Sequence, residues 1–359
     1  MLTLRALPPA DADATNALLQ LYRGTLRARW GRPERRLAAL LARCGLGVGW
    51  SKAELSFLAP AVREAGLSMA ERKGLHRILN PAAFPLRANP LKNKLLFARH
   101  AAQHDLPIPA TFDADAGSID DWLTDLDAVI LKRNYSSKGQ GIEAFARGPD
   151  GWRPGDVTTT LGQAARRGSV IQERLVPHPM LADLSPGALP TLRVMTCRNE
   201  AGGPEECGIV LRLSAGGPRP VDNFNAGNLA VAVDGSGRCG RALHRRGDAA
   251  VVVQVHPTTG RAFTGRPVPG LAEATALALR AHRTLGDGWT VVGWDVGLAP
   301  GGPVLIEGNW NPGTVIPQLV GEAGVDRTRL GELYRHHLHR APPERWAAAR
   351  VMHWDRRPG

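Results

Sequence analysis

The apolar residues of the chain follow two different periods. Up to about residue 105 they recur at spacings of three and four, as in an amphipathic helix, in ALLQLYRGTL, RRLAALLARCG and SFLAPAVREAG. A proline-rich link, LNPAAFPLRANP, then leads to one more such stretch, LKNKLLFARHAAQHD. We therefore expect an N-terminal helical region over residues 1–88, followed by a helix that contains Lys94.

Beyond that helix the apolar runs are short, β-branched and bounded by Gly, Pro, Asn or Asp, which is typical of strands. They include DAVILKRN, SVIQERLV, PTLRVMTCRN, ECGIVLRLS, LAVAVD and VVVQVH. One amphipathic helix, LAEATALALRAHRTLG, precedes two last strands around a Pro-Gly-Gly-Pro turn. Because strands and helices alternate irregularly, the pattern favours an α+β fold over a doubly wound parallel sheet.

The composition of the 359 residues, 43% hydrophobic and 22% charged, is that of a soluble globular protein with two or three lobes. No apolar run reaches the roughly 18 residues of a membrane span, no signal peptide is apparent, and the cysteines lack zinc spacing. We expect a cytoplasmic protein without a membrane span. The net charge of +12 suits an anionic ligand such as a nucleotide. Its basic residues are dispersed and lack interleaved aromatics, so we expect no nucleic-acid partner.

Two acids and an asparagine interrupt the strands in WDVGLAPGGPVLIEGNWNP. A turn centred on Gly301 pairs Ala299 with Pro303, Gly297 with Leu305 and Asp295 with Glu307. Asn309 then shares the face of Glu307. Directly opposed carboxylates destabilise a strand pair unless one is protonated or a cation lies between them. The three oxygen donors suit Mg²⁺; a solvent-facing hairpin is the alternative.

A second candidate site lies in AVILKRNYSSKGQGIEAF. Lys132 leads into a loop of Ser, Lys and Gly, residues that donate readily to phosphate oxygens. A dinucleotide fingerprint is not favoured, because no helix signal follows the glycines. We predict a strand–loop–strand flap over phosphates, with an ordinary hairpin turn as the alternative. Arg193, inside the apolar strand TLRVMT, needs an anionic partner, which is either a ligand or a neighbouring acid.

In order, the segments NKLLF, ILKRNYSSKGQGI, VIQERLV, TLRVMT, VDNFNAGNLAVAVD, HPTTG, GWDVG and LIEGNWNP resemble the ATP-grasp superfamily, most closely its sugar-transfer-associated branch. The resemblance covers roughly residues 88 to 320. It implies two α+β lobes that clamp ATP: residues 89–174 with the glycine loop and residues 175–335 with the metal site. A basic tail, 336–359, follows.

The resemblance also implies the nucleotide-binding residues. Lys94 and Lys132 would contact the α- and β-phosphates. The loop that covers the triphosphate would contain Ser136, Ser137, Lys138, Gly139 and Gly141. The hinge that binds adenine would consist of Gln172, Glu173, Arg174 and Leu175. The ribose would meet His178 or Asp183.

The metal and acceptor residues are implied in the same way. Asp295, Glu307 and Asn309 would bind two Mg²⁺ ions, with Mn²⁺ as an alternative. Arg193 would contact the γ-phosphate or the acceptor. Arg212 and Asn223 resemble the substrate-side residues of amino-acid and peptide ligases.

The resemblance implies a carboxylate–amine ligase. A small-molecule or peptide carboxylate would form an acyl phosphate with ATP, and an amine would convert it to an amide. Positioning and charge neutralisation are what phosphoryl transfer requires, and the two lysines, the arginines and Mg²⁺ would supply them. Two alternatives stay open: a phosphotransferase acting on a small-molecule or sugar acceptor, and a catalytically silent ATP-binding partner.

Overall fold

The computed structural model describes residues 50–115, 117–136, 141–149, 151–152, 157–217 and 220–347. The first predicted helical stretches, the loop residues Ser137, Lys138 and Gly139, and the end of the basic tail lie outside the described residues.

Three helices begin the described chain: α1 (Lys52–Phe57), α2 (Pro60–Glu64) and α3 (Met69–Leu79). Ser51 and Ser68 start α1 and α3 with capping boxes, in which the serine oxygen and a glutamate three residues later satisfy free backbone N–H groups. A proline at position 81 follows α3, and the 3-10 turns Pro81–Ala83 and Leu86–Ala88 form the link.

A small antiparallel sheet comes next, with strand order β2-β1-β3. Its strands are β1 (Ala128–Arg133), β2 (Glu143–Ala146) and β3 (Ser169–Glu173). The two strands predicted on either side of the glycine loop are therefore present. Helices α5 (Ile119–Leu123) and α6 (Val157–Arg166) pack on this sheet, whereas the preceding helix, α4 (Lys94–Gln103), belongs through Phe97 and Ala101 to the core of the larger sheet described next. The core of the small sheet contains Phe112, Leu123, Val129, Leu131, Leu161 and Ile171.

A seven-stranded antiparallel sheet forms the rest, with strand order β10-β9-β4-β5-β6-β7-β8. Its strands are β4 (Thr191–Arg198), β5 (Pro204–Leu213), β6 (Leu229–Val233), β7 (Cys239–Arg246), β8 (Ala249–Val253), β9 (Val291–Ala299) and β10 (Gly302–Asn309). The helices that follow β3 are α7 (Leu271–Thr284), α8 (Val315–Gly321), α9 (Arg329–Arg340) and α10 (Pro343–Ala347). Helix α9 runs through the predicted boundary at residue 336.

Both faces of the large sheet are covered. On one face, Leu192 and Val194 of β4 pack with Ala278 and Ala281 of α7. On the other, Met195 of β4 packs with residues of α3 and α9. The described part of the N-terminal helical region thus shares a core with the large sheet. Antiparallel sheets with helices grouped around them confirm the α+β class.

The register of the β9–β10 hairpin agrees with the prediction at one end only. Glu307 pairs with Asp295 as expected, but Ala299 pairs with Gly302 and Leu305 pairs with Val296. The predicted pairs Ala299–Pro303 and Gly297–Leu305 are wrong because the turn has two residues, and a bulge between Leu305 and Glu307 then takes up the extra residue.

Candidate functional site

A cleft with about 980 Å³ of empty space is lined by residues of both sheets. Apolar side chains from both sheets, Ile130 and Ile306, contribute to its walls. Ten residues predicted from the sequence also line it: Lys94, Lys132, Ser136, Glu173, Arg174, Leu175, Arg212, Asn223, Asp295 and Glu307. The fold thus brings together groups that are more than 200 residues apart in the chain.

Lys132 lies on β1 and is only 9% exposed. Its Nζ donates to Oε1 of Gln172 at 2.8 Å, and Nε2 of Gln172 donates to Oγ1 of Thr111 at 2.9 Å. Burial lowers the pKa of Lys132 to about 8, and the nearby charge of Glu307 opposes this shift only in part. The side chain of Gln172, predicted to belong to the hinge, therefore holds the ammonium group of Lys132.

Lys94 is the first residue of α4, whose N-cap is Asn93. Its Nζ donates to the backbone oxygens of Ser136 at 2.7 Å and Asn134 at 3.3 Å. Burial lowers its pKa, and Glu307 again opposes the shift. Lys94 therefore joins the start of α4 to the beginning of the glycine loop, while also lining the cleft.

Asp295 is held between two arginines. Arg193, its register partner on β4, donates from Nε to Oδ1 at 2.5 Å, and Nη2 of Arg212 lies 2.9 Å from Oδ2. Burial alone would raise the pKa of Asp295, but the charges of Arg193 and Arg212 outweigh it and lower the pKa to about 2. The charge of Asp295 is therefore already compensated by the protein itself.

Arg212 is held by more than Asp295. Its Nε and Nη2 donate to Oγ1 of Thr191 at 3.0 and 2.7 Å, Thr191 donates to Asp222, and Nε lies 3.4 Å from Oδ2 of Asp222. The sequence carries no signal for Thr191, and it indicates Asp222 only as part of the run that contains Asn223. Asp222 stands directly before Asn223 in VDNFNAG, and Thr191 opposes Arg212 in the β4–β5 register.

Glu307 and Asn309 lie on one face of β10, as predicted. Nδ2 of Asn309 donates to Oε1 of Glu307 and to the backbone oxygen of Gly293, both at 3.3 Å. Asn309 does not line the main cleft but a neighbouring cavity, which Glu307 also lines. Within the described ranges, no cluster of three His, Cys, Asp or Glu side chains is placed to hold a metal. Two carboxylates and one amide fit Mg²⁺ by donor type, because all supply hard oxygen ligands.

Helix α3 and the residue after it hold the backbone that follows Asn309. Nη1 of the buried Arg72 donates to the backbone oxygens of Asn311 and Pro312, the latter at 2.9 Å, and to Oδ1 of Asn311 at 2.7 Å. Nδ2 of Asn80 donates to the backbone oxygen of Trp310 at 2.5 Å. Residues of the N-terminal helical region, in which no motif was apparent, therefore fix the end of the hairpin that carries Glu307.

Some predicted residues are not in the cleft lining. Arg193 is paired with Asp295, and Gly141 lies near the side chain of Arg133. The ring of His178 accepts from the backbone N–H of Met180 and so caps the 3-10 turn Pro179–Leu181. Asp183 is paired with Arg266, with Nη2 to Oδ1 at 2.7 Å. The structure thus does not bring either predicted ribose contact into the cleft.

Residues 156–332 match a family model described as sugar-transfer associated ATP-grasp. The predicted resemblance to the ATP-grasp superfamily is therefore confirmed for this part of the chain. No curated protein matches its sequence. Within the described residues, no helix is both long and apolar enough to cross a membrane.

Three solved structures are similar to this chain. N5-carboxyaminoimidazole synthetase from Staphylococcus aureus, complexed with ADP, is 8% identical; the match covers 63% of this chain and 46% of that one, with a TM-score of 0.38. D-alanine–D-alanine ligase from Bacillus anthracis is 10% identical, with 71% and 68% covered and a TM-score of 0.40. D-alanyl-alanine synthetase A from Vibrio cholerae is 10% identical, with 70% and 65% covered and a TM-score of 0.42. The chain spans about half the length of the first of these.

Proposed function

We propose that the protein is an ATP- and Mg²⁺-dependent carboxylate–amine ligase that forms an amide through an acyl phosphate. One observation carries the proposal. A single cleft joins Lys132 of the small sheet and Lys94 of α4 with Asp295 and Glu307 of the large sheet. Cations opposite a pair of acids suit a metal-bound triphosphate, because its charge is neutralised from both sides.

In this proposal ATP lies along the cleft. Adenine binds at Glu173, Arg174 and Leu175, where the end of β3 enters the cleft. The phosphates meet Lys132 and Lys94. Mg²⁺, held by Glu307, Asn309 and Asp295, would neutralise phosphate charge.

The chemistry has two steps. A carboxylate oxygen of the acid attacks the γ-phosphorus, the bond from that phosphorus to the β–γ bridging oxygen breaks, and ADP leaves with the electron pair. The amine nitrogen then attacks the acyl carbon, the bond to the phosphate oxygen breaks, and inorganic phosphate leaves. The nitrogen loses its proton to the released phosphate or to solvent. The protein contributes position and charge through Lys132, Lys94 and Arg212, and the apolar walls limit the access of water.

A phosphotransferase is the second candidate, because the matching family is described as sugar-transfer associated. The same ATP site would then transfer the γ-phosphoryl group to a hydroxyl. The two reactions differ in their products: the ligase releases ADP and free phosphate together with an amide, whereas the phosphotransferase releases ADP and a phosphate ester.

The test incubates the protein with ATP, Mg²⁺ and a panel of carboxylic acids and amines, and measures the release of ADP. Phosphorus NMR identifies the fate of the phosphoryl group, and hydroxylamine traps an acyl phosphate as a hydroxamate. Glu307→Gln should abolish the activity. Glu273→Gln, on the exposed face of α7, is the matched control and should keep it. A phosphorylated acceptor without hydroxamate favours the phosphotransferase, and ADP binding without any turnover favours a silent partner.

A further inference from the structure

We propose that a second cavity, next to the cleft, is the binding site of the acid substrate, and that this acid has an apolar body and no ammonium group. The proposal rests on the proposed ligase function. The cavity holds about 820 Å³ of empty space. Lys94, Ser136 and Glu307 line both spaces, so these residues form the border between them.

The position of the second cavity, on the other side of Lys94 and Glu307 from the cleft, suits in-line phosphoryl transfer. The second cavity includes no hinge residue and none of Thr191, Arg212 or Asp222. It therefore extends from Glu307 away from the site proposed for adenine. In-line phosphoryl transfer needs the attacking oxygen on the side of the γ-phosphorus opposite to the departing ADP. An acid in the second cavity would reach a γ-phosphate at Lys94 and Glu307 from that side.

Arg212 and Asn223, which were predicted to bind the acceptor, already make hydrogen bonds to other groups of the protein. The guanidinium of Arg212 is bound by Thr191, Asp295 and Asp222. Oδ1 of Asn223 accepts from the backbone N–H of Asn225 and so starts a 3-10 turn. These groups are held before any ligand arrives. A separate space for the acid removes the need to break this network when the acid binds.

The lining of the second cavity indicates the class of acid. Its apolar surface comes from Leu86, Leu91, Phe97 and Trp310. Its other polar groups are the amides of Asn309 and Asn311 and the cation of Lys92, which donates to the backbone oxygen of Tyr135 at 2.7 Å. Apolar walls with a few polar groups fit a ligand whose apolar part is buried and whose charged end is fixed. Lys92 and Lys94 attract a carboxylate and repel a neighbouring ammonium group.

The test uses straight-chain monocarboxylates from acetate to octanoate, with ATP, Mg²⁺ and hydroxylamine, and measures hydroxamate. We expect KM to fall roughly threefold to fourfold for each added methylene, the factor that corresponds to burying one CH₂ group. We expect 2-aminooctanoate to be at least about tenfold poorer than octanoate, because its ammonium group would face two lysines.

Two matched variants locate the site. Leu86→Trp fills the cavity and should raise the KM for octanoate by about tenfold or more, while Mn²⁺–ADP affinity stays within about twofold of the wild type. Arg87→Trp adds the same ring at an exposed neighbouring residue that does not line the cavity, and should leave both values unchanged.

The outcomes separate the two proposals. If the wild type fails to bind Mn²⁺–ADP, the proposed function is wrong. If it binds Mn²⁺–ADP but no chain length supports hydroxamate formation, or if Leu86→Trp and Arg87→Trp behave alike, the second cavity is not the site of an apolar acid. A preference for 2-aminooctanoate over octanoate would overturn the stated class of acid.

Discussion

Arg193 and Asp295 lie in register on adjacent strands and are joined by two hydrogen bonds, Nε to Oδ1 at 2.5 Å and Nη2 to Oδ2 at 3.1 Å. Both side chains are largely withdrawn from water, at 16% and 5% exposure. This pair changes the expectation that Asp295 and Glu307 repel one another unless one is protonated or a cation lies between them. Arg193 and Arg212 already offset the charge of Asp295. A metal ion is therefore not needed to relieve its repulsion by Glu307.

Asp295→Asn should therefore destabilise the protein even in EDTA. Two guanidinium groups would lose a buried anionic partner, and breaking a buried pair typically costs about 3–5 kcal/mol of unfolding free energy. Urea unfolding measures the effect. The control is Asp248→Asn, whose pair with Lys52 is exposed on both sides and should contribute about 1 kcal/mol or less. Equal losses in the two variants would contradict the role assigned to the Arg193–Asp295 pair.

Nucleotide affinity should depend on the protonation of Lys132. Its pKa in the free protein is about 8, so the ammonium form prevails below pH 8 and is lost above it. A bound phosphate stabilises that form and raises the pKa. Affinity for ADP should thus be highest below about pH 8 and fall by up to about tenfold per pH unit above it, until the pKa of the bound state is reached.

Titration of ADP binding between about pH 6.5 and about pH 9.5 checks this expectation. Lys132→Arg keeps a positive charge through that range, because a guanidinium stays protonated. The variant should therefore show a flatter profile, whatever its absolute affinity. A wild-type affinity that rises with pH would contradict the assignment of Lys132 to the phosphates.

Arg72 should influence the metal without touching it. It holds the backbone at Asn311 and Pro312, two to three residues beyond Asn309. Loss of such supporting contacts typically weakens metal binding by about 10–100-fold. We expect Arg72→Met to weaken Mn²⁺ binding by about tenfold, and Arg72→Lys to recover part of the loss. Mn²⁺ binding by electron paramagnetic resonance, in the presence of ADP, measures the effect.

The control for Arg72 is Arg329→Met. Arg329 pairs with Glu200, Glu205 and Glu332, an ion network that includes none of the residues lining the cleft. This variant should lose stability and keep its Mn²⁺ affinity. If both arginine variants weaken Mn²⁺ binding equally, the effect of Arg72 is a general loss of stability rather than a loss of position.

Gly293 should tolerate no side chain. It pairs with Asn309, and a Cβ at this position would lie 2.6 Å from Cβ of Pro312 and 3.3 Å from Cδ of Arg193. We expect Gly293→Ala to cost about 1–3 kcal/mol of unfolding free energy, the range of overpacking. Gly301→Ala, in the turn of the same hairpin, meets nothing within 4 Å and should cost little. Thermal unfolding compares the two, and a larger loss at Gly301 would contradict the close packing at Gly293.

Local patterns could predict much of the site. Alternation was enough to put Asn309 on the face of Glu307. The predicted pair of Asp295 with Glu307 is present because the bulge offsets the error in the predicted turn register. Local patterns could not predict the bulge, because the extra residue at Ile306 is apolar and looks like any other strand residue. The sequence could also not predict which side chains hold Arg212. Thr191 and Asp222 are 21 and 10 residues away and meet it only through pairing of β4 with β5 and the path of the 220–223 segment.

The bulge at Ile306 gives the hairpin one residue more than its pairing needs. Leu305 is fully buried, and strict alternation would send Glu307 to the same side. One extra residue instead leaves Ile306 and Glu307 both lining the cleft. Deleting Ile306 would therefore leave a regular strand in which Leu305 still faces the core and Glu307 and Asn309 still face the opposite side. Ile306 is thus a spare residue for the register of the hairpin: without it, Leu305 would still pair with Val296 and Glu307 with Asp295.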